Sequence, residues 1–301
     1  INLSSATQTL DYSVAANKVV RGGGSVTDTL SGIEWIKSGS GNDMLVLSTT
    51  VSNHVDMGAG DDRVYDIATT SGSNVADTLI GGAGNDIYVV DSSLDVVTEA
   101  STTVGEIDEV QSSVSWSLGS NLEKLTLLGS GAINATGNSL NNTLTGNTGA
   151  NTLDGGAGND TLSGGAGNDI YVVNTTLDRV TELAGQGTDT IQSTVNYSLV
   201  DTDGPGANGG NVENLTLTGS SALNGTGNAD ANVLTGNAGA NQLVWVTDAR
   251  ILRQVANLTG AVNKAAGRPA LPRKNLGEGG LAGSVAANQP NLVALLHTEI
   301  N

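Results

Sequence analysis

The chain of 301 residues has no cysteine, no phenylalanine, four prolines and two histidines, and only 3% of it is aromatic. Each shortage removes a class of answer. Without cysteine there is no disulfide framework, no thiolate metal site and no thiol nucleophile, so an exported chain of this kind needs another clamp, and bound metal is the usual substitute. With so few aromatics it cannot fill a thick core and must use thin layers of Leu, Val and Ile. No run of about eighteen apolar residues occurs, which excludes a helical membrane span. His54 and His297 are the only imidazoles, neither HExxH nor GxSxG is present, and the abundant paired carboxylates have the regular spacing of metal sites, so no catalytic residue is expected. A chain opening at Ile1 without a charged-then-apolar leader reads as a processed product or, preferably, a fragment.

Positive charge is also scarce. Net charge is −18, and residues 244–301 hold six basic against three acidic residues, which leaves −21 on the first 243. Nothing on that acidic part can neutralise phosphates, so nucleic acid is excluded as a partner. Such a chain repels itself unless divalent cations sit among its carboxylates.

What the chain has instead is glycine, 42 residues of it, much of it on a period. GGAGND runs straight into Ile-Tyr-Val-Val at Gly81–Val90 and again at Gly164–Val173, and a third GGAGND, Gly155–Asp160, lies nine residues ahead of the second. A nine-residue unit with glycine at positions 1, 2 and 4, aspartate at 6 and a large apolar residue at 8 spells one tight turn followed by one short strand. Four units run without a gap from Gly137, with Asn142, Asn151, Asp160 and Asp169 at position 6, and Asp178 keeps the phase. Asp77, Asp86 and Asp95 repeat the spacing earlier, and looser units place Asp43 and Asp62. Position 8 is Leu45, Val64, Leu79, Tyr88, Leu144, Leu153, Leu162 and Tyr171, so each strand is expected to send one large side chain inward.

A longer repeat overlies the short one. GGAGNDIYVVDSSLDVVTEA at Gly81 returns as GGAGNDIYVVNTTLDRVTEL at Gly164, an offset of 83. EVQSSVSWSL at Glu109 returns at Thr190, and NLEKLTLLGSGAINATGN at Asn121 returns at Asn211. The offset drifts through a small deletion and then an insertion at Val200–Gly210, whose DTDGPGANGG reads as a surface loop. Stretches such as VQSSVSWSL alternate polar and apolar residues and are predicted strands, and no long helix is expected before residue 244.

Glycine at positions 1, 2 and 4 is expected to let the backbone take positive φ and aim carbonyl oxygens into the bend, with the position-6 carboxylate beside them. Calcium wants six to eight oxygens, and this mixture meets the demand without thiol or imidazole. The repeated GGxGxDxUx pattern resembles the calcium-binding repeats of RTX proteins. The resemblance covers residues 20–243 and is most specific at 72–95 and 137–180. It implies an all-β parallel β-roll, or β-solenoid, in which two nines make one turn, ions sit between stacked turns and each unit pairs with the unit eighteen residues away. Asp160 would then stack on Asn142 and Asp178, Asp169 on Asn151, and Asp77 on Asp95. The candidate ligands are Gly39, Gly41 and Asp43; Gly58, Gly60 and Asp62; Asp77; Gly82, Gly84 and Asp86; Asp95; Gly156, Gly158 and Asp160; Gly165, Gly167 and Asp169; and Asp178. Calcium is expected near Asp77, Asp86, Asp160 and Asp169. Metal-free stacking, with amides bonded to one another as in an asparagine ladder, is expected around Asn142, Asn232 and Asn241. Asp95 and Asp178 lie in units that have lost their glycines and read either as half-sites or as surface residues.

The resemblance further implies a large bacterial protein exported through the type I secretion machinery to the outside or the cell surface. Two function classes follow: a non-catalytic structural or adhesive module that could meet a cell-surface glycan or host surface, and the C-terminal roll of a secreted protease, lipase or epimerase. Competing readings are weaker. A linker does not need an apolar residue at fixed phase, the GxGxxG fingerprint lacks its third glycine in every copy, and Asp201–Gly204 matches an EF-hand loop poorly. Trp35 and Trp116, with Tyr88 and Tyr171, are read as core fillers or caps, and His54 as a surface residue.

Residues 1–71 are thus expected to be a degenerate lead-in to the solenoid, 72–243 the roll, and 244–301 a non-repeat tail. The pattern stops at Val244, where the next glycine turn was due. Thr247–Ala266 has helical spacing at Ile251, Leu252, Val255, Leu258 and Val262, with Gly267 and Pro269 as stop signals. The tail reads as a cap on the open end, a secretion signal or a foreign end.

Overall fold

The computed structural model describes the backbone of residues 11–15, 18–21, 27–29, 35–47, 52–66, 75–100, 105–200, 209–248, 251–256 and 293–295. Side chains are described over 35–47, 52–66, 75–100, 105–200 and 209–245. Among these residues the protein is all-β, a parallel β-solenoid whose short strands alternate between two faces. One face stacks Met44–Val46, Arg63–Tyr65, Ile87–Val90, Glu109–Ser112, Lys124–Leu127, Thr143–Thr145, Thr161–Ser163 and Arg179–Thr181, each parallel to the next. The other face begins with Trp35–Lys37, His54–Ala59, Thr78–Ala83 and Val96–Thr98. It resumes after a break with Trp116–Ser117, Ala135–Thr136, Thr152–Asp154, Ile170–Val173, Thr190–Ser193, Asn214–Leu217 and Val233–Thr235. A fourth sheet holds Tyr197–Ser198, Asn224–Thr226 and Gln242–Asp248.

The nine-residue phase sets the core. Its position-8 residues are buried and meet in register up the stack: Leu45, Val64, Tyr88, Val110, Leu125, Leu144, Leu162 and Val180 line one face from within. Ala135, Leu153, Tyr171, Ile191, Leu215 and Leu234 line the other. A solenoid interior two side chains thick is filled by such ladders, and each coil hides the apolar face of its neighbours. Trp35 is not part of that core: it is 58% exposed and stacks on His54 across neighbouring strands, ring centroids 4.3 Å apart. An outward position on a strand takes its side chain away from the interior whatever its hydrophobicity. Trp116 packs partly buried against the core.

At the N-terminal end, Asp11–Ala15 joins the first face in parallel, while Lys18–Arg21 and Thr27–Thr29 pair antiparallel. The tail corrects the expected helix. Gln242–Asp248 continues the roll in parallel and then turns back through Ile251–Ala256 as an antiparallel strand. Ile251, Leu252 and Val255 fit a strand as well as a helix turn, and the open edge of the last coil supplies hydrogen-bonding partners that an isolated helix would not have. The strand Val293–Leu295 pairs antiparallel with Val233–Thr235. The rest of the predicted helix and most of the Val200–Gly210 insertion lie outside the described residues. No helix among the described residues is long and apolar enough to cross a membrane.

Candidate metal centre

Between strands the chain turns at two corners, and at each corner the position-6 residues stack into a column. One column runs Asp43, Asp62, Asp86, Asp108, Glu123. In each successive pair the upper residue's carboxylate accepts the backbone N–H of the one below, at 2.7, 2.8, 2.8 and 3.0 Å. It continues with Asn142, whose N–H reaches Asp160 Oδ1 at 2.8 Å, and with Asp160, whose N–H reaches Asp178 Oδ1 at 3.1 Å. The second column contains Asn53, Asp77 and Asp95 and, further on, Asn151, Asp169, Asp189 and Glu213, linked in the same way. The expected pairs of Asp160 with Asn142 and Asp178, Asp169 with Asn151, and Asp77 with Asp95 are therefore in place. The eighteen-residue step holds there but not earlier, where Asp62 and Asp86 are 24 apart and Asp86 and Asp108 are 22 apart.

That ladder satisfies only one oxygen of each carboxylate. The second oxygen, Oδ2, is buried and without a hydrogen-bond partner at Asp62, Asp86, Asp160 and Asp169. Those four corners are also the ones in which glycines at positions 2 and 4 both have positive φ: Gly58 and Gly60, Gly82 and Gly84, Gly156 and Gly158, Gly165 and Gly167, with φ from 81 to 130°. A side chain at these glycines would collide with the corner below, since a Cβ on Gly82 would overlap the Gly58 carbonyl and one on Gly158 the Leu140 carbonyl. Corners thus stack backbone on backbone, with carbonyl oxygens between them. The position-1 glycines behave differently from expectation. Gly81, Gly155 and Gly164 are not among the positive-φ residues. They are glycine because a Cβ would overlap the Oδ2 of Asp86, Asp160 or Asp169.

An unpaired buried carboxylate oxygen is costly. Burial drives the carboxyl of Asp62 up to about 8, that of Asp86 to about 7, and those of Asp160 and Asp169 to about 6. Carboxylates and stacked carbonyls without nitrogen or sulfur are the donor set of a hard cation, so these corners fit calcium. A family model for the RTX calcium-binding nonapeptide repeat matches residues 71–96, 136–171 and 226–244, in four copies. Those segments of the chain are RTX repeats. These repeats bind calcium. No curated protein matches the chain.

Other predicted ligands are placed differently. In the first RTX-like corner Asp43 Oδ2 accepts from Ser38 Oγ and from the Gly39 N–H at 3.3 Å. Gly39 and Gly41 offer their carbonyls to the corner holding Gly58 and Gly60, against which they pack. Asp95 and Asp178 are buried, not on the surface. In their glycine-free units the second oxygen is bonded within the turn, Asp95 Oδ2 by the Ser92 N–H and Asp178 Oδ2 by the N–H groups of Asn174 and Thr175.

Among the described residues, three groups of carboxylates converge with ligand atoms within 4.8 Å of one another: Asp66, Asp77 and Asp95; Asp86, Glu99 and Asp108; Asp169, Glu182 and Asp189. Asp66, Glu99, Asp108, Glu182 and Asp189 escape a reading confined to GGxGxD. The signal was in the longer repeat, because Glu99 and Glu182 occupy matched places in VTEA and VTEL, and Asp108 and Asp189 stand just ahead of the matched strands.

The asparagine corners satisfy themselves. Asn142, Asn151, Asn232 and Asn241 donate Nδ2 to backbone carbonyls of Leu122, Ile133, Val212 and Leu223 at 2.6–3.2 Å. The expected amide-to-amide ladder is not what forms. The amide oxygens of Asn142, Asn151 and Asn232 instead accept the N–H of position 2, from Asn138, Asn147 and Asn228. The side chains of Asn138, Asn147, Asn228 and Asn237 also each donate to two carbonyls of the preceding corner.

Proposed function

We propose that this protein is a calcium-dependent structural or adhesive module of a secreted or cell-surface bacterial protein, which folds on meeting calcium after export by the type I machinery. The observation that carries the reading is the set of buried Oδ2 atoms on Asp62, Asp86, Asp160 and Asp169, each without a partner. When bound, calcium supplies the positive charge and the oxygen coordination that this set requires. The protein's own residues do the rest. Gly58, Gly82, Gly156 and Gly165 bring stacked backbones close enough to present carbonyls, and the backbone ladder occupies Oδ1 of each aspartate and leaves Oδ2 to hold an ion.

Without an ion, a net charge of −21 on residues 1–243 and a glycine-rich backbone oppose folding. An unfolded chain suits passage through a narrow channel. Extracellular calcium modules have dissociation constants of about 10⁻⁴–10⁻³ M, so calcium outside the cell drives folding by mass action, because only the folded corners assemble the ligands. Circular dichroism of the chain with calcium and with chelator tests this. A strand spectrum that appears on calcium addition is expected, and a full strand spectrum in chelator at neutral pH overturns the reading.

A further inference from the structure

The two copies of the long repeat are nine strands apart: Ile87–Val90 corresponds to Ile170–Val173, Val96–Thr98 to Arg179–Thr181, and Glu109–Ser112 to Thr190–Ser193. Strands alternate between faces, so an odd number carries the second copy to the opposite side of the roll. Ile87–Val90 accordingly lies in the eleven-stranded sheet and Ile170–Val173 in the eight-stranded one. The Asp86, Glu99, Asp108 group therefore stands in one corner column and its copy, Asp169, Glu182, Asp189, in the other. Four and a half turns at about 4.8 Å separate them by roughly 20 Å along the axis.

In each group only the first aspartate belongs to a glycine corner. The other two acids stand just after one strand and just before the next, Glu99 after Val96–Thr98 and Asp108 before Glu109–Ser112, Glu182 after Arg179–Thr181 and Asp189 before Thr190–Ser193. Two independent features mark these groups as more than clustered charge. Asp86 and Asp169 are 1% exposed, and each Oδ2 is unpartnered. That oxygen shares with the hydroxyl of Tyr88 or Tyr171 the space left by the missing Cβ of Gly81 or Gly164. The same hydroxyl donates to the glutamate, Tyr88 to Glu99 Oε2 at 2.7 Å and Tyr171 to Glu182 Oε2. Tyrosine thus holds the glutamate beside the unpaired oxygen. The corners of Asp62 and Asp160 also leave Oδ2 unpaired, but Val64 and Leu162 stand where the tyrosines would be, and among the described residues no such group of three carboxylates includes them.

We propose that Asp86–Glu99–Asp108 and Asp169–Glu182–Asp189 are a second class of calcium site, one on each side of the roll, which closes a run of glycine corners and fills at lower calcium than the corners of Asp62 and Asp160. Three converging carboxylates outweigh the one or two of an ordinary corner, and ligand charge sets calcium affinity. The proposal rests on the calcium reading above.

Terbium(III), titrated into the full chain with excitation of tyrosine, reads these sites directly, because Tyr88 and Tyr171 would touch the ligand shell. A tight phase of sensitised emission is expected, followed by a weaker phase with little emission. Glu99→Gln should weaken one tight site on the order of tenfold or more, and Glu99→Gln with Glu182→Gln should abolish the tight phase. Asp160→Asn should leave that phase unchanged. Tyr88→Phe, which removes the hydroxyl that holds Glu99, should weaken one tight site and remove roughly half of the tight-phase emission, as distant sites contribute independently. This variant keeps the test decisive if a glutamine variant fails to fold. If the tight phase survives both glutamine changes, or Tyr88→Phe leaves emission intact, the second class does not exist. If calcium induces no strand signal in the unaltered chain, the calcium-folding reading itself fails.

Discussion

Two kinds of corner follow one another along one roll. In Gly137–Asn142 and Gly146–Asn151 the amide at position 6 accepts from the N–H of position 2 and donates to a carbonyl of the corner below. In Gly155–Asp160 and Gly164–Asp169 the same place holds a carboxylate with one oxygen bonded and the other buried and unmet. The difference is a hydrogen-bond donor. An amide brings its own and can collect the carbonyls itself, whereas a carboxylate and those same carbonyls are all acceptors, so an external cation has to stand between them. Asparagine corners are preassembled in this sense, and aspartate corners are conditional on an ion. Glycine follows the same division, because position 2 is asparagine in the first kind and positive-φ glycine in the second.

The strongest way to break that comparison is to take the ion away. At calcium one hundred times the dissociation constant, each filled site stabilises the folded form by about 2.7 kcal/mol. Chelation removes this at the corners of Asp62, Asp86, Asp160 and Asp169. Hydrogen exchange followed by mass spectrometry should then show protection collapsing first in peptides covering 75–100 and 155–173, with peptides covering 121–151 opening later. Uniform loss along the whole roll would mean that asparagine corners have no stability of their own.

Acid should partly stand in for calcium. Protonation turns the second oxygen into a donor, which makes aspartic acid resemble asparagine. Burial raises the folded carboxyls of Asp62, Asp86, Asp160 and Asp169 from the ordinary 3.8 to between about 6 and about 8. A group raised in the folded state binds more protons there than in the unfolded chain, so its stabilising contribution is complete below 3.8 and is lost as pH climbs through the folded value. In chelator, the strand signal should therefore be strongest near pH 4–5 and fall towards pH 8. Calcium should bind more tightly as pH rises, because fewer protons compete. A chelated roll that gains stability towards neutrality would overturn the assignment of those four oxygens.

How far the sequence reached can be judged from particular residues. Leu144, Leu153, Leu162 and Tyr171 reach the core because a fixed phase in a short repeat is a local property, and so is the eighteen-residue pairing of Asn142, Asp160 and Asp178. Glu99 and Glu182 are matched positions of the longer repeat but lie outside the GGxGxD unit, and that they meet Asp86 and Asp169 is decided only when coils stack. The asparagine ladder was misjudged for a related reason: which acceptor an amide meets depends on the corner beneath it. Ile251–Ala256 was misassigned because the edge of the last coil, and not the segment's own spacing, selects a strand.

Glycine substitutions sharpen the contrast by separating space from backbone freedom. In Gly81→Ala the new methyl would overlap Asp86 Oδ2 and the Tyr88 hydroxyl, and the loss should be about 1–3 kcal/mol by denaturant titration in calcium. Gly105→Ala meets nothing within 4 Å and has only its positive φ of 102° to overcome, so it should cost about 1 kcal/mol. Equal effects would show that room for the carboxylate is not what Gly81 provides.

The smallest and most direct change exchanges the two kinds of corner one atom at a time. Asn142→Asp removes the donor that serves the Leu122 carbonyl and inserts a buried charge, so in chelator it should destabilise the chain by about 1–3 kcal/mol. Asp160→Asn removes an unpaired buried charge and aims an amide at the carbonyls of the preceding corner. In chelator it should stabilise by about 1 kcal/mol, and calorimetric titration should count fewer calcium ions. Opposite signs for two changes eighteen residues apart in one column would trace the calcium dependence to the identity of a single side-chain atom. If Asp160→Asn instead destabilises the calcium-free chain, the carboxylate is already satisfied without an ion and the distinction between the corners disappears.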